Sequence, residues 1–173
     1  MGVVSVVNNV RLERLREAVK GFERDPGSLK RVVAVGGSWV FDEGRPQFVG
    51  EVRFEGGVRR LESNMPSFMG GEGREPSPLH YCLYGLASCF AATIASIAAE
   101  RGVRLKRLSV VAEGRYDFRK TLGVGDAPIV EEVVFKVDVE AEGGGVDEII
   151  RESEERCPAV NCLKNPVRTR VVR

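Results

Sequence analysis

The chain has 173 residues, of which 43% are hydrophobic and 29% are charged, a composition typical of one globular domain and not of a disordered chain. Its 26 Lys and Arg residues nearly cancel its 25 Asp and Glu residues, which leaves a formal net charge of +1. This balance removes the electrostatic argument for binding nucleic acid or an anionic membrane, so neither partner is expected.

The sequence shows no sign of export or of membrane insertion. Its first residues, MGVVSVVNNV, lack the basic start, long apolar core and small-residue cleavage site of a secretion signal, which predicts a cytoplasmic protein. Residues 79–99 carry no Asp, Glu, Lys or Arg and are long enough to span a bilayer. They are rich in Ala, Ser, Thr, Gly and Cys and include His80, so we expect a helix buried inside the protein.

The first 61 residues predict one helix followed by strands. Asn9 can cap a helix that runs to about Arg24, because one apolar stripe recurs at three- and four-residue spacings: Leu12, Leu15, Val19 and Phe22. Asp25-Pro26-Gly27 would end it. Strand-like runs then occupy residues 31–39, 47–54 and 58–61, and Glu55-Gly56-Gly57 is a plausible hairpin turn between the last two.

A long loop and a long helix follow. Residues 63–77 form a Gly- and Pro-rich segment of the length that is often functional, but no Lys-Ser/Thr follows its glycines, which argues against a phosphate-binding loop. Ser77-Pro78 predicts a helix start, with Ser as the N-cap and Pro in the first turn. The small-residue helix should run to about Arg101 and end near Gly102.

The remaining segments predict two strands, a helix and a last strand. Residues 105–118 and 129–141 read as strands, the second with clear alternation of apolar and polar residues. A helix is expected from about Val146 to Arg156, and a final strand over residues 167–172. Because several strands follow one another without intervening helices, the pattern predicts antiparallel sheets and the α+β class.

Four cysteines, at positions 82, 89, 157 and 162, carry the chemical interest. Their spacings do not match those of zinc ligands, and the chain has one His, so no metal is expected. Cys82 and Cys89 lie seven residues apart on one helix, about 10 Å along its axis, which is too far for a disulfide between them. A disulfide from this helix would have to reach Cys157 or Cys162.

Cys157 stands in the tripeptide Arg156-Cys157-Pro158. Since proline disfavours helical geometry in the residue before it but suits the first turn of a helix, Cys157 should lie between the end of one helix and the start of another. The unpaired N–H groups at a helix start favour a thiolate. The alternative for each of the four cysteines is packing as a small buried hydrophobe.

Two separated motifs resemble the OsmC/Ohr family, which comprises osmotically inducible protein C, organic hydroperoxide resistance proteins and their relatives. They are PSPLHYCLYGLASCF (Pro76 to Phe90) and CPAVNCL (Cys157 to Leu163). The first cysteine of the second motif follows the last cysteine of the first motif by 68 residues. The resemblance extends from about Val32 to Val172 and includes Met69-Gly70-Gly71. It divides the chain into an N-terminal helical extension, residues 1–30, and an OsmC-like domain, residues 31–173.

The resemblance implies an intertwined homodimer with long central helices and a site at the subunit interface. It also implies reduction of organic hydroperoxides without a cofactor, with Cys89 as the peroxide-reacting thiol, Cys157 as the resolving thiol and an external dithiol as reductant. The family places an Arg from the first sheet at this site. Arg45 is the closest match, and Arg53 stays open.

One family feature is missing from the sequence. The Glu near the start of the central helix falls at Leu79 or His80, where His80 is either a substitute polar partner or a capping residue. The missing Glu favours an alternative function, a non-catalytic dimer that binds a small hydrophobic ligand or a partner. A further possibility is a structural disulfide formed by Cys82 or Cys162.

Overall fold

The computed structural model describes residues 6–173, so the first five residues of the expected N-terminal extension lie outside it. The helices and strands are, in chain order, β1 (Val6–Val7), β2 (Val10–Arg11), α1 (Leu12–Arg24), β3 (Gly36–Trp39), β4 (Phe48–Phe54), β5 (Gly57–Ser63), α2 (Pro78–Glu100), β6 (Leu105–Tyr116), β7 (Val130–Ala141), α3 (Val146–Arg156) and α4 (Pro158–Lys164). The strands form the antiparallel sheets β1-β2, β3-β4-β5 and β6-β7. The predicted α+β class is confirmed.

The chain divides into two compact units. The first unit combines the N-terminal segment up to Pro26 with residues 83–173, and the second unit consists of residues 27–82. Helix α2 begins in the second unit and continues through the first. The four cysteines are divided accordingly, because Cys82 belongs to the second unit and the other three belong to the first.

The core of the first unit lies between α2, the β6-β7 sheet and the two C-terminal helices. Its buried members are Phe90, Ile94, Ile97, Ala98, Ile149, Cys157 and Val160. Strand β7 contributes Phe135 and Val137, partly buried residues of the predicted alternating strand, which pack against this cluster. Burial of each large apolar side chain contributes roughly 1.5–3 kcal/mol, so this cluster determines how α2 sits on the sheet.

Local signals set both ends of α2. At its start the Ser77 carbonyl accepts the backbone N–H of His80 at 2.9 Å, and Pro78 is the first helical residue. At its end Gly102 adopts a positive φ of 72° and donates to the carbonyl of Ala99, while Val103 donates to Ala98. Only glycine adopts this conformation freely. The predicted start at Ser77-Pro78 and end near Gly102 are both confirmed.

Helix α2 is long and apolar enough to cross a membrane by length and composition, and it is the one such helix among residues 6–173. A core helix passes the same test. Five of its residues are buried in this single chain: Phe90, Ile94, Ile97, Ala98 and Ala99. These contacts agree with the expected buried helix, although only 28% of its most apolar window is covered within one chain.

The second unit is the β3-β4-β5 sheet with its following loop. Strands β4 and β5 pair from Phe48↔Ser63 to Phe54↔Gly57, around the predicted turn at Glu55-Gly56. The loop places Gly71 so close to the backbone of Met65 that a Cβ would lie 1.8 Å from the Met65 carbonyl oxygen. A side chain at Gly71 is therefore excluded, which explains the small residue in Met69-Gly70-Gly71.

Two predicted strands are wrong in extent or existence. The run 31–39 is a strand only from Gly36, and Val32 and Val33 are almost fully exposed. Residues 167–172 form no strand, and Val171 is fully exposed. Both segments have the β-branched composition of strands. A strand also needs a partner for its backbone hydrogen bonds, and neither segment has one within residues 6–173.

Asn9 is not a helix cap. Asn8 and Asn9 have φ angles of 52° and 61° and form the two-residue turn between β1 and β2, so α1 begins only at Leu12. Asparagine tolerates this left-handed conformation, which tight hairpins require. The Asn8 amide also donates to the Val103 carbonyl at 2.9 Å, and its oxygen accepts the N–H of Leu105 at 2.8 Å. Asn8 thereby ties the N-terminal hairpin to the start of β6.

We expect Asn8→Ala to lower the free energy of unfolding by about 2 kcal/mol, because it removes two hydrogen bonds and strains a positive φ. Asn8→Gly keeps the backbone freedom and should cost about 1 kcal/mol. Asn9→Gly is the matched control and should change little. Urea unfolding followed by circular dichroism measures all three. Equal stability of Asn8→Ala and wild type would show that the hairpin is not anchored there.

Candidate functional site

Two cysteines that are 68 residues apart in sequence meet in the first unit. The sulfur atoms of Cys89 and Cys157 are 3.8 Å apart, within hydrogen-bonding distance for sulfur. Both residues are free thiols. A disulfide requires about 2.05 Å between sulfurs, so the two thiols are in contact but not bonded.

Helix α2 presents Cys89 next to its most buried segment. Cys89 is half-buried and packs against the core cluster that begins at the next residue, Phe90. The Phe90 ring meets the Phe135 ring of β7 edge-on, with centroids 5.1 Å apart and an interplanar angle of 68°. This aromatic pair fixes the rotation of α2 about its axis and therefore the direction in which Cys89 points.

The break between α3 and α4 places Cys157. As predicted, Cys157 ends one helix and begins the next. Its N–H donates to the Ser153 carbonyl, its own carbonyl accepts the N–H of Asn161, and its φ and ψ of −75° and 120° are extended. Pro158 enforces that geometry. The Cys157 side chain is fully buried, so the turn directs its thiol into the core and toward Cys89.

An ion-pair network holds the two helices that carry the thiols. Arg156, the residue before Cys157, pairs with Glu100 at the end of α2 at 3.1 Å and with Glu152 at 2.8 Å. Arg101 joins the network through Glu152 and Glu148. Arg156, and then Arg101, hold the pKa of Glu152 below its usual range. Both guanidinium groups are thus paired with carboxylates.

The pKa of the Cys89 thiol is raised above the ordinary cysteine value. Burial is the largest cause, and the hydrogen bond and charge of Cys157 add to it, followed by the charge of Cys162. The backbone N–H of Ala159 acts in the opposite direction and lowers it. No basic side chain stands among these influences within the described part of the chain, so Cys89 is mainly protonated at neutral pH in this unit.

The two arginines considered for the site lie in the second unit. Arg45 pairs with Asp42 at 3.2 Å and Arg53 pairs with Glu51 at 3.3 Å, and all four side chains are exposed. Exposed pairs of this kind are weak, typically well under 1 kcal/mol. Either arginine can therefore leave its present partner at little cost.

His80 acts as a cap in the structure. Its Nδ1 accepts the backbone N–H of Ser77 at 3.1 Å and lies 2.8 Å from the Ser77 hydroxyl oxygen. The contact to the Ser77 N–H is one half of a capping box, whereas the His80 N–H bonds to the Ser77 backbone carbonyl. His80 therefore caps the start of α2 through its Nδ1, the second of the two roles considered for it from the sequence.

The other two cysteines, Cys82 and Cys162, are exposed. Cys162 lies on α4 and its thiol donates to the carbonyl of Ala159 at 3.1 Å. Within residues 6–173, no three His, Cys, Asp or Glu side chains cluster closely enough to hold a metal ion.

A cavity of about 650 Å³ opens in the first unit between α2, β7 and the C-terminal helices. Its apolar lining includes Phe90, Phe135 and Val160, and its charged lining residues are Glu131, Glu132, Glu154 and Lys164, the last two paired at 3.0 Å. Neither Cys89 nor Cys157 lines it, although the residue after Cys89 does. The cavity can hold the carbon skeleton of a small molecule.

Sequence reasoning missed two contributors to this site. The i, i+4 spacing of Glu152 and Arg156 signals an ion pair on α3, but its extension to Glu100 and Arg101 depends on the tertiary fold. The Ala159 N–H has no side-chain signal at all. Its only trace in the sequence is Pro158, which predicts a helix start and hence N–H groups without intrahelical partners.

Comparison with known proteins identifies the family. The profile of OsmC-like proteins matches residues 71–172, whereas no curated protein matches the chain. Similar solved structures include an OsmC-like protein from Mycoplasma pneumoniae, with 19% identity, a TM-score of 0.59, and coverage of 80% of this chain and 91% of that one.

Two further structures have names that mention hydroperoxide resistance. An organic hydroperoxide resistance protein OsmC from Legionella pneumophila is 20% identical, with a TM-score of 0.54 and coverage of 78% of this chain and 90% of that one. A putative organic hydroperoxide resistance protein from Vibrio cholerae, also 20% identical, has a TM-score of 0.51 and coverage of 80% and 89%. At these identities the likeness establishes the fold, and together with the profile match it shows that the chain belongs to the OsmC-like protein family.

Proposed function

We propose that the protein is a thiol-dependent peroxidase that reduces organic hydroperoxides through Cys89 and Cys157. The observation that carries this proposal is the 3.8 Å distance between the two sulfur atoms. Buried free cysteines are common. Two that meet from distant parts of the chain are far more specific.

The proposed reaction has three balanced steps. The Cys89 thiolate attacks the distal oxygen of a hydroperoxide, the O–O bond breaks, and after proton uptake an alcohol leaves while Cys89 becomes a sulfenic acid. The Cys157 thiol then condenses with the sulfenic acid, which forms a disulfide and releases water. Finally an external dithiol reduces that disulfide and is itself oxidised to a disulfide.

The cavity of the first unit supports an apolar substrate. Its wall includes Phe90, Phe135 and Val160, which belong to or pack against the core cluster that contains Cys157. An alkyl or aryl hydroperoxide bound there would bury its carbon skeleton among the elements that carry the two thiols. Hydrogen peroxide gains nothing from such a wall, which favours organic hydroperoxides as substrates.

The proposal requires a cation close to Cys89. Because burial raises the pKa of this thiol, too little thiolate is present at neutral pH for rapid attack on a peroxide. A guanidinium within about 4–6 Å would lower that pKa by 1–3 units. Arg156 and Arg101 belong to the ion-pair network that joins α2 to α3, whereas Arg45 and Arg53 each have a single exposed partner that they can leave at little cost. We therefore assign this role to Arg45, with Arg53 as the other candidate.

We also propose that the working form is a cytoplasmic homodimer. Large apolar side chains are exposed on the single chain at both ends of the second unit and on α2: Val32, Val33, Phe41, Phe68 and Tyr84 are all more than 60% exposed. Large apolar side chains exposed in this number favour an interface with another chain. A second copy of the chain would cover them and would complete the surroundings of the site, where we assign His80 as a polar partner.

Two observations favour a second candidate function. The raised pKa of Cys89 and the cap formed by His80 where the family has Glu describe a pair of thiols without evident activation. On that basis the protein would be a non-catalytic dimer that binds a small hydrophobic ligand in the cavity. The two functions differ in whether peroxide consumes thiols.

One equivalent of tert-butyl or cumene hydroperoxide should remove two thiols per chain and yield a Cys89–Cys157 disulfide, detected by intact mass and peptide mapping. Cys89→Ser should lose all turnover, because no sulfenic acid can form. Cys157→Ser should leave a sulfenic acid that dimedone traps. Cys82→Ser is the matched control and should behave as wild type. An unchanged thiol count, with a hydrophobic ligand retained in native mass spectrometry, would favour the binding protein instead.

Replacement of the proposed cation should slow the first step. We expect Arg45→Gln to lower the second-order rate with cumene hydroperoxide about tenfold or more, since loss of a guanidinium raises the pKa of Cys89 by a unit or more. Arg53→Gln is the paired variant and should have little effect. The rate should be partly restored at higher pH in Arg45→Gln. The reverse ranking of the two variants would transfer the role to Arg53.

The reactivity of Cys89 toward an alkylating agent should depend on Cys157. In Cys157→Ala the two effects of its neighbour that raise the pKa of Cys89 are gone, so iodoacetamide labelling of Cys89 should begin at lower pH than in wild type. A thiol is mainly protonated at any pH below its pKa, so a lower pKa shifts the whole curve of labelling rate against pH to lower pH. Peptide-level mass spectrometry measures it, with Cys82→Ala as control. An upward shift would refute the assigned cause.

A further inference from the structure

The cavity of the first unit contains one carboxylate that no basic side chain neutralises. Its charged lining residues are Glu131, Glu132, Glu154 and Lys164. Glu154 is paired with Lys164 at 3.0 Å, and Glu132 is paired with Arg115 at 3.3 Å. The carboxylate of Glu131 has no hydrogen bond or ion pair within residues 6–173. The cavity therefore presents one negative charge that is not compensated.

Arg119 does not serve as the counter-ion of Glu131. Its guanidinium group donates three hydrogen bonds to the carboxylate of Asp117. These hydrogen bonds are the main reason why the pKa of Arg119 is raised, and the charge of Glu131 is the last of the causes that act on it. The positive charge of Arg119 is thus already balanced by Asp117.

A β-bulge explains why Glu131 reaches the cavity. Two adjacent residues of β6 pair with Val130 and Glu132, so Glu131 is an extra residue of β7 that has no partner in β6. Strict alternation would turn neighbouring residues to opposite faces of the strand, whereas residues 130–133 all line the cavity. The bulge therefore adds a charged side chain to a wall that is otherwise mainly apolar.

The remaining wall favours an apolar occupant. Eight lining residues are apolar: Phe90, Val130, Val133, Phe135, Val137, Ile150, Val160 and Leu163. An apolar molecule that enters the cavity removes water from these side chains, which favours binding, but it also removes water from Glu131. A carboxylate that loses water without gaining a partner costs free energy. An ammonium group on the same molecule replaces that water with charge-assisted hydrogen bonds.

We propose that this cavity binds apolar molecules that carry a positive charge, the class of alkyl- and arylammonium ions, with Glu131 as their counter-ion. The inference rests on the proposed function, since it names the chemical class that the cavity prefers among hydroperoxides or other small ligands. Neutral apolar molecules bind more weakly because they leave Glu131 unpaired. Apolar carboxylates bind most weakly because they bring a like charge to it.

Three probes with the same hydrocarbon chain and different head groups test this preference. Octylammonium, 1-octanol and octanoate are titrated into the reduced full-length protein at neutral pH and low salt, and calorimetry gives each dissociation constant. We expect octylammonium to bind about tenfold more tightly than 1-octanol, and octanoate to bind about tenfold more weakly than 1-octanol. Equal affinities, or tighter binding of octanoate, would overturn the proposal.

Variants of Glu131 locate the charge. Glu131→Gln should bring the affinities of octylammonium and 1-octanol to within about twofold, whereas Glu131→Asp keeps the charge and should keep most of the preference. Glu155→Gln is the matched control, because Glu155 is an exposed carboxylate of α3 that does not line the cavity. It should bind the three probes as wild type does. A full preference in Glu131→Gln would refute the assignment of the counter-ion.

Salt provides a second readout that needs no variant. Glu131 is exposed, so its pair with an ammonium group is open to screening. Raising the NaCl concentration to about 0.5 M should reduce the preference of wild type for octylammonium over 1-octanol. A preference that does not change with salt would contradict an ion pair at this site.

Trp39 distinguishes this cavity from another apolar cavity in the second unit. It is the one tryptophan of the sequence, and it lines that second cavity together with Phe48 and Tyr81. Binding of octylammonium in the first unit should leave the emission of Trp39 unchanged. A saturable change of this emission, with the dissociation constant of octylammonium, would assign the ligand to the second unit and overturn the proposal.

The two proposals fail in different ways. If cumene hydroperoxide leaves all thiols free but octylammonium binds with a preference that depends on Glu131, the peroxidase function falls and the cation site stands. If cumene hydroperoxide yields the Cys89–Cys157 disulfide but the three probes bind alike, the peroxidase stands and the cation site is refuted.

Discussion

The junction between α3 and α4 at Cys157-Pro158 is the constraint on which the site depends. Proline cannot continue α3, so the chain turns at Cys157 and buries that side chain completely. The turn faces α2 because Arg156 is paired with Glu100 at the end of that helix and because Val160 packs into the same cluster as Phe90. The ion pair and the apolar contact together hold the turn against α2, which leaves Cys89 and Cys157 side by side.

The same burial that brings the thiols together opposes their reactivity. Removal of water raises the pKa of Cys89, and only the Ala159 N–H is set against that effect. The nearby guanidinium groups of Arg101 and Arg156 are engaged by carboxylates and serve the architecture. The geometry of the pair is therefore supplied within the first unit, and the proposed peroxidase activity would need an activating charge from outside the elements that position the sulfurs.

The features that the sequence predicted well are those set by local chemistry. Ser77 and Gly102 bound α2, Pro158 breaks the C-terminal helix, and alternation along β7 identifies its buried face. The failures involve long-range partners. The valines at 32–35 and 167–172 have the composition of strands but no backbone ladder, and Asn8 and Asn9 form a turn anchored to β6, nearly a hundred residues away. Likewise, no spacing rule brings Cys157 to Cys89, and only the resemblance to a family predicted that pairing.

The two halves of the proposed peroxidase cycle place opposite demands on the solvent exposure of the sulfur atoms. A sulfenic acid on Cys89 survives longer when little solvent and little excess peroxide reach it, since further oxidation to sulfinic acid is irreversible for most proteins. In the proposed cycle the fully buried Cys157, at 3.8 Å, would capture it quickly. The reductive half needs the reverse, a sulfur that a large donor can touch. The two demands fall on different sulfurs here, because Cys157 is fully buried whereas Cys89 is half-buried and keeps part of its surface open to a donor.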